Sequence, residues 1–242
     1  MTVIIGVFLL VFAWRTVTLA LHSLQSRPDD ESSRQEEGFA DVIPAYSDQK
    51  GNELSDSAED ILLVNKDHPL EENYQPDLVK LRDYGVEVDR EIYDSLLRML
   101  QDGEKEGLKF WVASGYRSME RQRELLDEDI AALMKQGSSP SEAYEEVVRE
   151  TMPVGCSEHA TGLAVDIVAK DYQILDEKQA RTEEIQWLQE HCSQYGFILR
   201  YPEDKEDITK VSYESWHFRY VGVKAATEIM EKGITLEEYL DK

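Results

Sequence analysis

Ser157-Glu158-His159-Ala160-Thr161-Gly162-Leu163-Ala164-Val165-Asp166 is the stretch on which the architecture turns. It runs into Leu163-Ala164-Val165-Asp166-Ile167-Val168, which has the apolar continuity of a buried strand broken by a single carboxylate. An unpaired aspartate buried in such a strand costs several kcal/mol, so it needs a cation or a set of donors. Gly162 permits a tight turn that can carry His159 back over Asp166. Far downstream, Glu214-Ser215-Trp216-His217 adds a second imidazole and a second carboxylate. His159, Asp166 and His217 can then serve as zinc ligands, with Glu214 left as a base. Three protein ligands leave a fourth position open for water or a carbonyl. The first stretch alone also admits another reading, in which Ser157 and Glu158 cap a helix, His159 lies on the surface and Asp166 is a hydrogen-bonded core residue. The downstream cluster favours the metal.

Period-2 alternation through Val211 to Val221 puts Tyr213, Ser215, His217 and Arg219 on one face and Glu214, Trp216, Phe218 and Tyr220 on the other. A regular strand would therefore separate Glu214 from His217. Bringing both to one metal requires a bend or bulge at Ser215, a device that occurs beside active sites.

The pattern Ser-x-His-x-x-Gly-x-Ala-x-Asp, followed by Glu-x-Trp-His, resembles the signature of the peptidoglycan D-alanyl-D-alanine carboxypeptidases related to VanY, within the LAS group of zinc peptidases. Further matches are Ser114-Gly115-Tyr116-Arg117-Ser118 with Gln122, Leu63-Val64-Asn65-Lys66 leading to Tyr74-Gln75-Pro76-Asp77-Leu78, and Tyr195-Gly196-Phe197-Ile198-Leu199-Arg200-Tyr201-Pro202. The resemblance spans residues 61 to 222 and implies an α+β, LAS/hedgehog-like zinc peptidase fold with one Zn²⁺ on His159, Asp166 and His217. It also implies Glu214 as general base, Arg117 at the oxyanion or the substrate, and Ser114, Gln122 and Ser157 shaping substrate binding. Trp216 either walls the pocket and orients His217 or is a core aromatic. Glu71 and Ser215 stand where many relatives carry proline, which bears on loop geometry and removes no chemical group.

Residues 2–21 are nearly continuously apolar, with Arg15 the only charge, and suit a retained membrane anchor or signal over residues 1–24. Residues 25–60 are rich in Ser, Asp, Glu and Gln and suit a flexible acidic linker. The remaining residues, 61–242, about 180 in all, are enough for one domain with a real core. Within it, Ile61–Val64 reads as a short strand. Asp89 reads as the cap of a helix carrying Ile92, Leu96, Leu97 and Leu100, stopped by Gly103 and Gly107. Phe110–Ala113 reads as a strand delivering Ser114–Ser118 into a loop, where site residues are commonly held. Ser118 then caps a helix closed by Gly137, and further helices are expected over Pro140–Glu150, Thr182–Tyr195 and Val223–Lys232. The architecture expected is a small, mainly antiparallel sheet flanked by helices.

The net charge of −24 argues against nucleic acid and against tight binding to anionic lipid, so membrane contact is expected through the N-terminal segment only. A monomer acting on a peptidoglycan stem peptide ending in D-Ala fits the resemblance. Cys156 and Cys192 admit a disulfide, and Cys192 is most simply a small core residue. Two classes of function follow: a zinc D,D-carboxypeptidase, with L,D-cleavage of the tetrapeptide stem as its variant, or a module that binds stem peptides without turnover. The presence of Glu214 and Arg117 favours the enzyme, since a pure binder needs no base beside its metal.

Overall fold

The computed structural model describes residues 61–241, so the apolar segment and acidic linker expected before them lie outside the described residues. Leu63 and Val64 are buried, yet Ile61–Val64 joins no sheet, against the strand expected there. This segment is fixed from the side: the Leu62 carbonyl accepts from Arg219 Nη2 at 2.6 Å. A hairpin that the periodicity did not reveal follows, β1 (Leu78–Leu81) and β2 (Val86–Asp89), antiparallel with Leu78 opposite Asp89. Strands of four residues are too short to give a clear alternation.

Asp89 ends β2 and caps α1 (Arg90–Lys105), its carboxylate accepting from the Glu91 amide at 2.9 Å. Ile92, Leu96, Met99 and Leu100 recur at helical spacing and are buried as one face. The helix runs through Gly103, which was expected to stop it. Gly103 serves close packing, since a Cβ there would meet the Phe110 ring at 2.5 Å. The helix ends at Lys105, two residues past Gly103 and ahead of Gly107, the second of the two glycines expected to stop it.

β3 (Phe110–Ser114) leads into the Gly115–Ser118 loop, and Ser118 caps α2 (Met119–Lys135) by accepting from the Arg121 amide at 3.1 Å. Ser139 and Glu142 form a reciprocal capping box on α3 (Pro140–Glu150), whose proline sits in the first turn. A 3₁₀ turn over Glu158–Thr161 then delivers the chain through Gly162 to β4 (Ala164–Ala169). Thr182 caps α4 (Glu183–His191), which tightens into a 3₁₀ turn at Cys192–Tyr195, so the single helix expected through Tyr195 is two pieces. β5 (Phe197–Tyr201), the short α5 (Glu206–Thr209), β6 (Glu214–Tyr220), α6 (Val223–Lys232) and α7 (Leu236–Tyr239) complete the chain. Among the described residues no helix is long and apolar enough to cross a membrane.

The four-stranded sheet has the order β3-β4-β6-β5, with every pair antiparallel. This is the α+β architecture the sequence suggested. One face carries Val112, Val165, Ile167, Phe197 and Phe218 against Ile92, Leu96 and Met99 of α1 and Ile185 and Leu188 of α4. Ile198, one residue on from Phe197, belongs instead to a second cluster with Leu63, Ala226, Ile229 and Leu236, so α6 and α7 cover the other face. Cys192 lies in the first cluster, and Cys156 and Cys192 are free, buried thiols. Burial pushes the Cys192 thiol up to about 12, in keeping with an inert core residue.

Gly162 fixes the entry to β4. Its φ is +73°, and a Cβ would lie 2.8 Å from the Asp89 amide nitrogen. Its carbonyl accepts from that same amide at 2.9 Å, tying the turn to the start of α1. Gly162→Ala is therefore expected to lose about 1–3 kcal/mol, read as a lowered urea midpoint at unchanged m-value; an unchanged midpoint would show the turn to be tolerant.

Candidate active site

Asp166 lies in the middle of the sheet, directly opposite His217 on β6 and Ser114 on β3. Val165 and Ile167 face the main core, so alternation points Asp166 to the other side, where His217 and Arg219 also lie. Gly162 folds the 3₁₀ turn back over this face. His159 Nε2 comes within 3.2 Å of Asp166 Oδ2, and His217 Nδ1 within 3.0 Å of Asp166 Oδ1. The two rings stand edge to face, centroids 4.9 Å apart. All three residues are at most 5% exposed, which removes the reading of His159 as a surface residue. Ser157 occupies the N-cap position of the turn but makes no side-chain cap.

The sheet is irregular where the site needs it to be. A register shift between Val112 and Ser114 sets Ser114 opposite Asp166. A second lies between β5 and β6, where Leu199 pairs with Phe218 but Tyr201 pairs with Glu214. Three residues of β6, Ser215 to His217, thus span what Arg200 alone spans on β5, the bulge that the sequence required. It brings Glu214 Oε2 to 3.8 Å from His217 Nδ1, the nitrogen that faces Asp166. Ser215, at the bulge, has a buried hydroxyl without a partner.

Arg117 reaches the same edge from the loop after β3. Its amide donates to the His159 carbonyl at 3.0 Å, and its guanidinium donates to Gln122 Oε1 at 3.0 Å and Ser114 Oγ at 3.4 Å. Gln122 is 2% exposed and held in turn by the Met152 carbonyl at 2.6 Å. Ser114 and Gln122 therefore hold Arg117 from below, while Trp216 is half-buried in the bulge beside His217.

Each imidazole has its outer nitrogen committed. His159 Nδ1 lies 2.8 Å from the Gly115 carbonyl, an acceptor only, so Nδ1 carries the proton and Nε2 keeps its lone pair. His217 Nε2 lies 3.3 Å from Glu158 Oε2, which leaves Nδ1 turned toward Asp166. Sequence reasoning placed Glu158 only as a possible cap. The available signal was Arg200 within Phe197-Ile198-Leu199-Arg200-Tyr201 and Arg219 within Trp216-His217-Phe218-Arg219-Tyr220, since an arginine on a strand buried on both faces needs a buried acid.

Burial opposes the charged forms here, and specific partners decide the outcome. His159 is held below its ordinary value by burial, with the nearby Arg117 charge adding to it. Burial alone would raise Asp166, but the two histidines outweigh it and hold the carboxyl well below the usual range. Glu158 is likewise held low, because Arg200, Arg219 and His217 outweigh its burial. His217, despite its burial, is pushed up to about 9 by its bonds to Asp166 and Glu158.

The donor set fits a metal. His159, Asp166 and His217 offer ligand atoms that all lie within 4.8 Å of one another. Bonds of about 2.1 Å in a tetrahedron put neighbouring ligand atoms about 3.4 Å apart, close to the 3.2 and 3.0 Å observed. Two imidazoles and one carboxylate are the mixed nitrogen and oxygen set of catalytic zinc, with both outer nitrogens anchored as such ligands require. Fold and site together define a hydrolase with a candidate three-residue site for one metal ion.

Comparison with known proteins agrees. Residues 85–223 match the family model VanY, described as D-alanyl-D-alanine carboxypeptidase. A D-alanyl-D-alanine carboxypeptidase of Enterococcus faecalis is 39% identical over 181 residues, covering 75% of this chain and 65% of its own. A zinc-complexed mutant of the vancomycin-resistance D,D-pentapeptidase VanY, from a VanB-type cassette, is similar at TM-score 0.65 and 38% identity, over 74% of this chain and 97% of that one. The L,D-carboxypeptidase LdcB is similar at TM-score 0.66 and 38% identity, over 74% and 85%. The chain belongs to the VanY family of D-alanyl-D-alanine carboxypeptidases, whose zinc chemistry suits the donor set described.

In metal-free protein the raised His217 gives a signed pH dependence. Its contribution to stability is complete below about pH 6.5, the unfolded value, and fades as pH rises toward its folded value of about 9. Asp166 and Glu158, both depressed, contribute above their unfolded values near pH 4 and lose that contribution as pH falls. Protein kept in chelator is therefore expected to show a urea midpoint that falls between about pH 6.5 and 8.5. A flat or rising midpoint over that window would contradict the assignment of His217.

Proposed function

We propose that this protein is a zinc-dependent D-alanyl-D-alanine carboxypeptidase that removes the terminal D-alanine from peptidoglycan stem peptides. The observation that carries the reading is the triangle of His159, Asp166 and His217 ligand atoms with Glu214 brought to the same nitrogen of His217 by the β6 bulge. His159 Nε2, Asp166 and His217 Nδ1 would hold the zinc. Bound there, zinc supplies Lewis acidity and makes water acidic enough to attack at neutral pH.

The chain's own groups do the rest. Glu214 accepts a proton from the attacking water and delivers it to the departing D-alanine amine. Arg117 faces the carbonyl oxygen as that oxygen gains charge, a role in which preorganised donors count most because they need no rearrangement during the reaction. Ser114 and Gln122 keep the guanidinium in place. Ser157 and Trp216 border the substrate in this reading. The acidic surface suits a short peptide partner better than an extended polyanion. The apolar residues 2–21 would tether a monomeric domain outside the cytoplasmic membrane, where peptidoglycan lies.

A second reading, L,D-cleavage of the tetrapeptide stem, is favoured by one observation: the likeness to LdcB, described as an L,D-carboxypeptidase, is as close in fold and identity as that to VanY. Mass spectrometry of muramyl pentapeptide and tetrapeptide incubated with the purified chain distinguishes the two. Loss of one alanine from the pentapeptide, abolished by chelator and restored by zinc, is the expected result. Glu214→Gln should lower kcat by about 10²–10⁴ while retaining zinc, and Arg117→Ala should cost about 10²–10³. Cleavage of the tetrapeptide alone would transfer the assignment to L,D-specificity, and zinc-loaded protein that cleaves neither would remove the carboxypeptidase reading.

A further inference from the structure

Behind the metal ligands lies a group of charges that the proposed reaction does not use. Glu158, Arg200, Arg219 and Glu237 are each at most 4% exposed and balance to zero net charge. Glu158 divides its two oxygens. Oε1 accepts from Arg200 Nε at 2.8 Å and from Arg219 Nη1 at 2.9 Å, and Oε2 faces His217 Nε2 at 3.3 Å. Arg200 then turns its other end outward, donating through Nη1 and Nη2 to Glu237 at 2.9 and 2.6 Å in a two-bonded fork. Glu237 lies on the four-residue α7 near the C-terminus, and Asn65, from the first described segment, donates to it at 3.1 Å. Arg219 is held from its far side by the Leu62 carbonyl.

A cluster this deep adds little net stability, because desolvation of four ions consumes most of the attraction between them. Orientation is what it can supply. Both arginines pull on Oε1, so the carboxylate cannot rotate, and Oε2 is fixed against one nitrogen of one zinc ligand. Resting on the assignment of His217 as a ligand, we propose that Glu158 is a positioning residue for His217, and that its own position is set through Arg200 by Glu237. The C-terminal turn is then part of the metal site in energetic terms, although no residue of it touches the metal. Coupling between sites is reciprocal, so zinc binding should stabilise the turn as much as the turn favours zinc.

Glu158→Gln tests the near end. Its amide oxygen would stay with the two arginines and its NH₂ would face His217 Nε2. The imidazole proton would move to Nδ1, the atom needed by the metal. Zinc affinity, measured by competition with a chromophoric chelator on the full chain, is expected to weaken about 10–100-fold, with Glu237→Gln changing it in the same direction by less. Adding zinc to the unsubstituted protein should slow amide hydrogen exchange in residues 235–240, and this gain should shrink in Glu158→Gln.

His217→Ala separates the two levels of the argument. If His217→Ala binds zinc as well as the unsubstituted protein, the ligand assignment fails and this inference with it. If His217→Ala loses zinc while Glu158→Gln and Glu237→Gln bind it unchanged, and exchange in 235–240 ignores zinc, only the positioning role is overturned. Should Glu158→Gln not fold, Glu237→Gln and the exchange measurement on the unsubstituted protein still decide.

Discussion

The contact between the Asp166 carboxylate and the two imidazoles of His159 and His217 is the constraint on which the site is built. A carboxylate in the middle of a sheet, 4% exposed, is too expensive to keep without polar partners, here the two imidazoles that close on its two oxygens. One imidazole arrives from the strand beside it and the other from a turn that folds back through Gly162. The turn in turn leans on Asp89 and the start of α1, so the first helix, the metal turn and the central strand share one set of backbone bonds.

The irregularities of the sheet belong to this constraint. Perfect alternation would leave Glu214 on the wrong side of β6 and Ser114 out of line with Asp166. Two register shifts, one on each flank of the β4 and β6 pair, bring Ser114 opposite Asp166 and Glu214 to His217. A bulge costs ladder bonds locally, and it is tolerated here because β6 stays paired on both sides at Phe218 and Arg219.

Charge is distributed by depth. The chain carries a formal −24, yet the interior behind His159, Asp166 and His217 is neutral, with Glu158 and Glu237 matched by Arg200 and Arg219. The exposed acids are solvated and screened and can be numerous. The buried ones must be matched individually, since each unpaired ion in a low dielectric costs several kcal/mol. The layers differ because water handles charge on one side and protein donors must handle it on the other.

Much of this was legible in the sequence. Helix limits followed local chemistry at Asp89, Ser118 and Pro140, and the strand around Asp166 followed from a lone carboxylate in an apolar run. The ligand candidates could be chosen from residue type, spacing and family resemblance, and the need for a bulge near Ser215 could be stated as a requirement. What could not be read were properties of partners distant in the chain. Gly103 looked like a helix stop until Phe110 lay against it, and Ile61–Val64 looked like a strand because its burial comes from Arg219 and the α6 cluster, not from a ladder. Glu158 looked like a cap until Arg200, Arg219 and His217 converged on it. Sequence by itself determined the elements and the chemistry available, because propensity, capping and periodicity act within a few residues. Tertiary structure alone decided which nitrogen of each histidine faces the metal position and which charges neutralise one another, because those depend on contacts across 40 to 60 residues of chain.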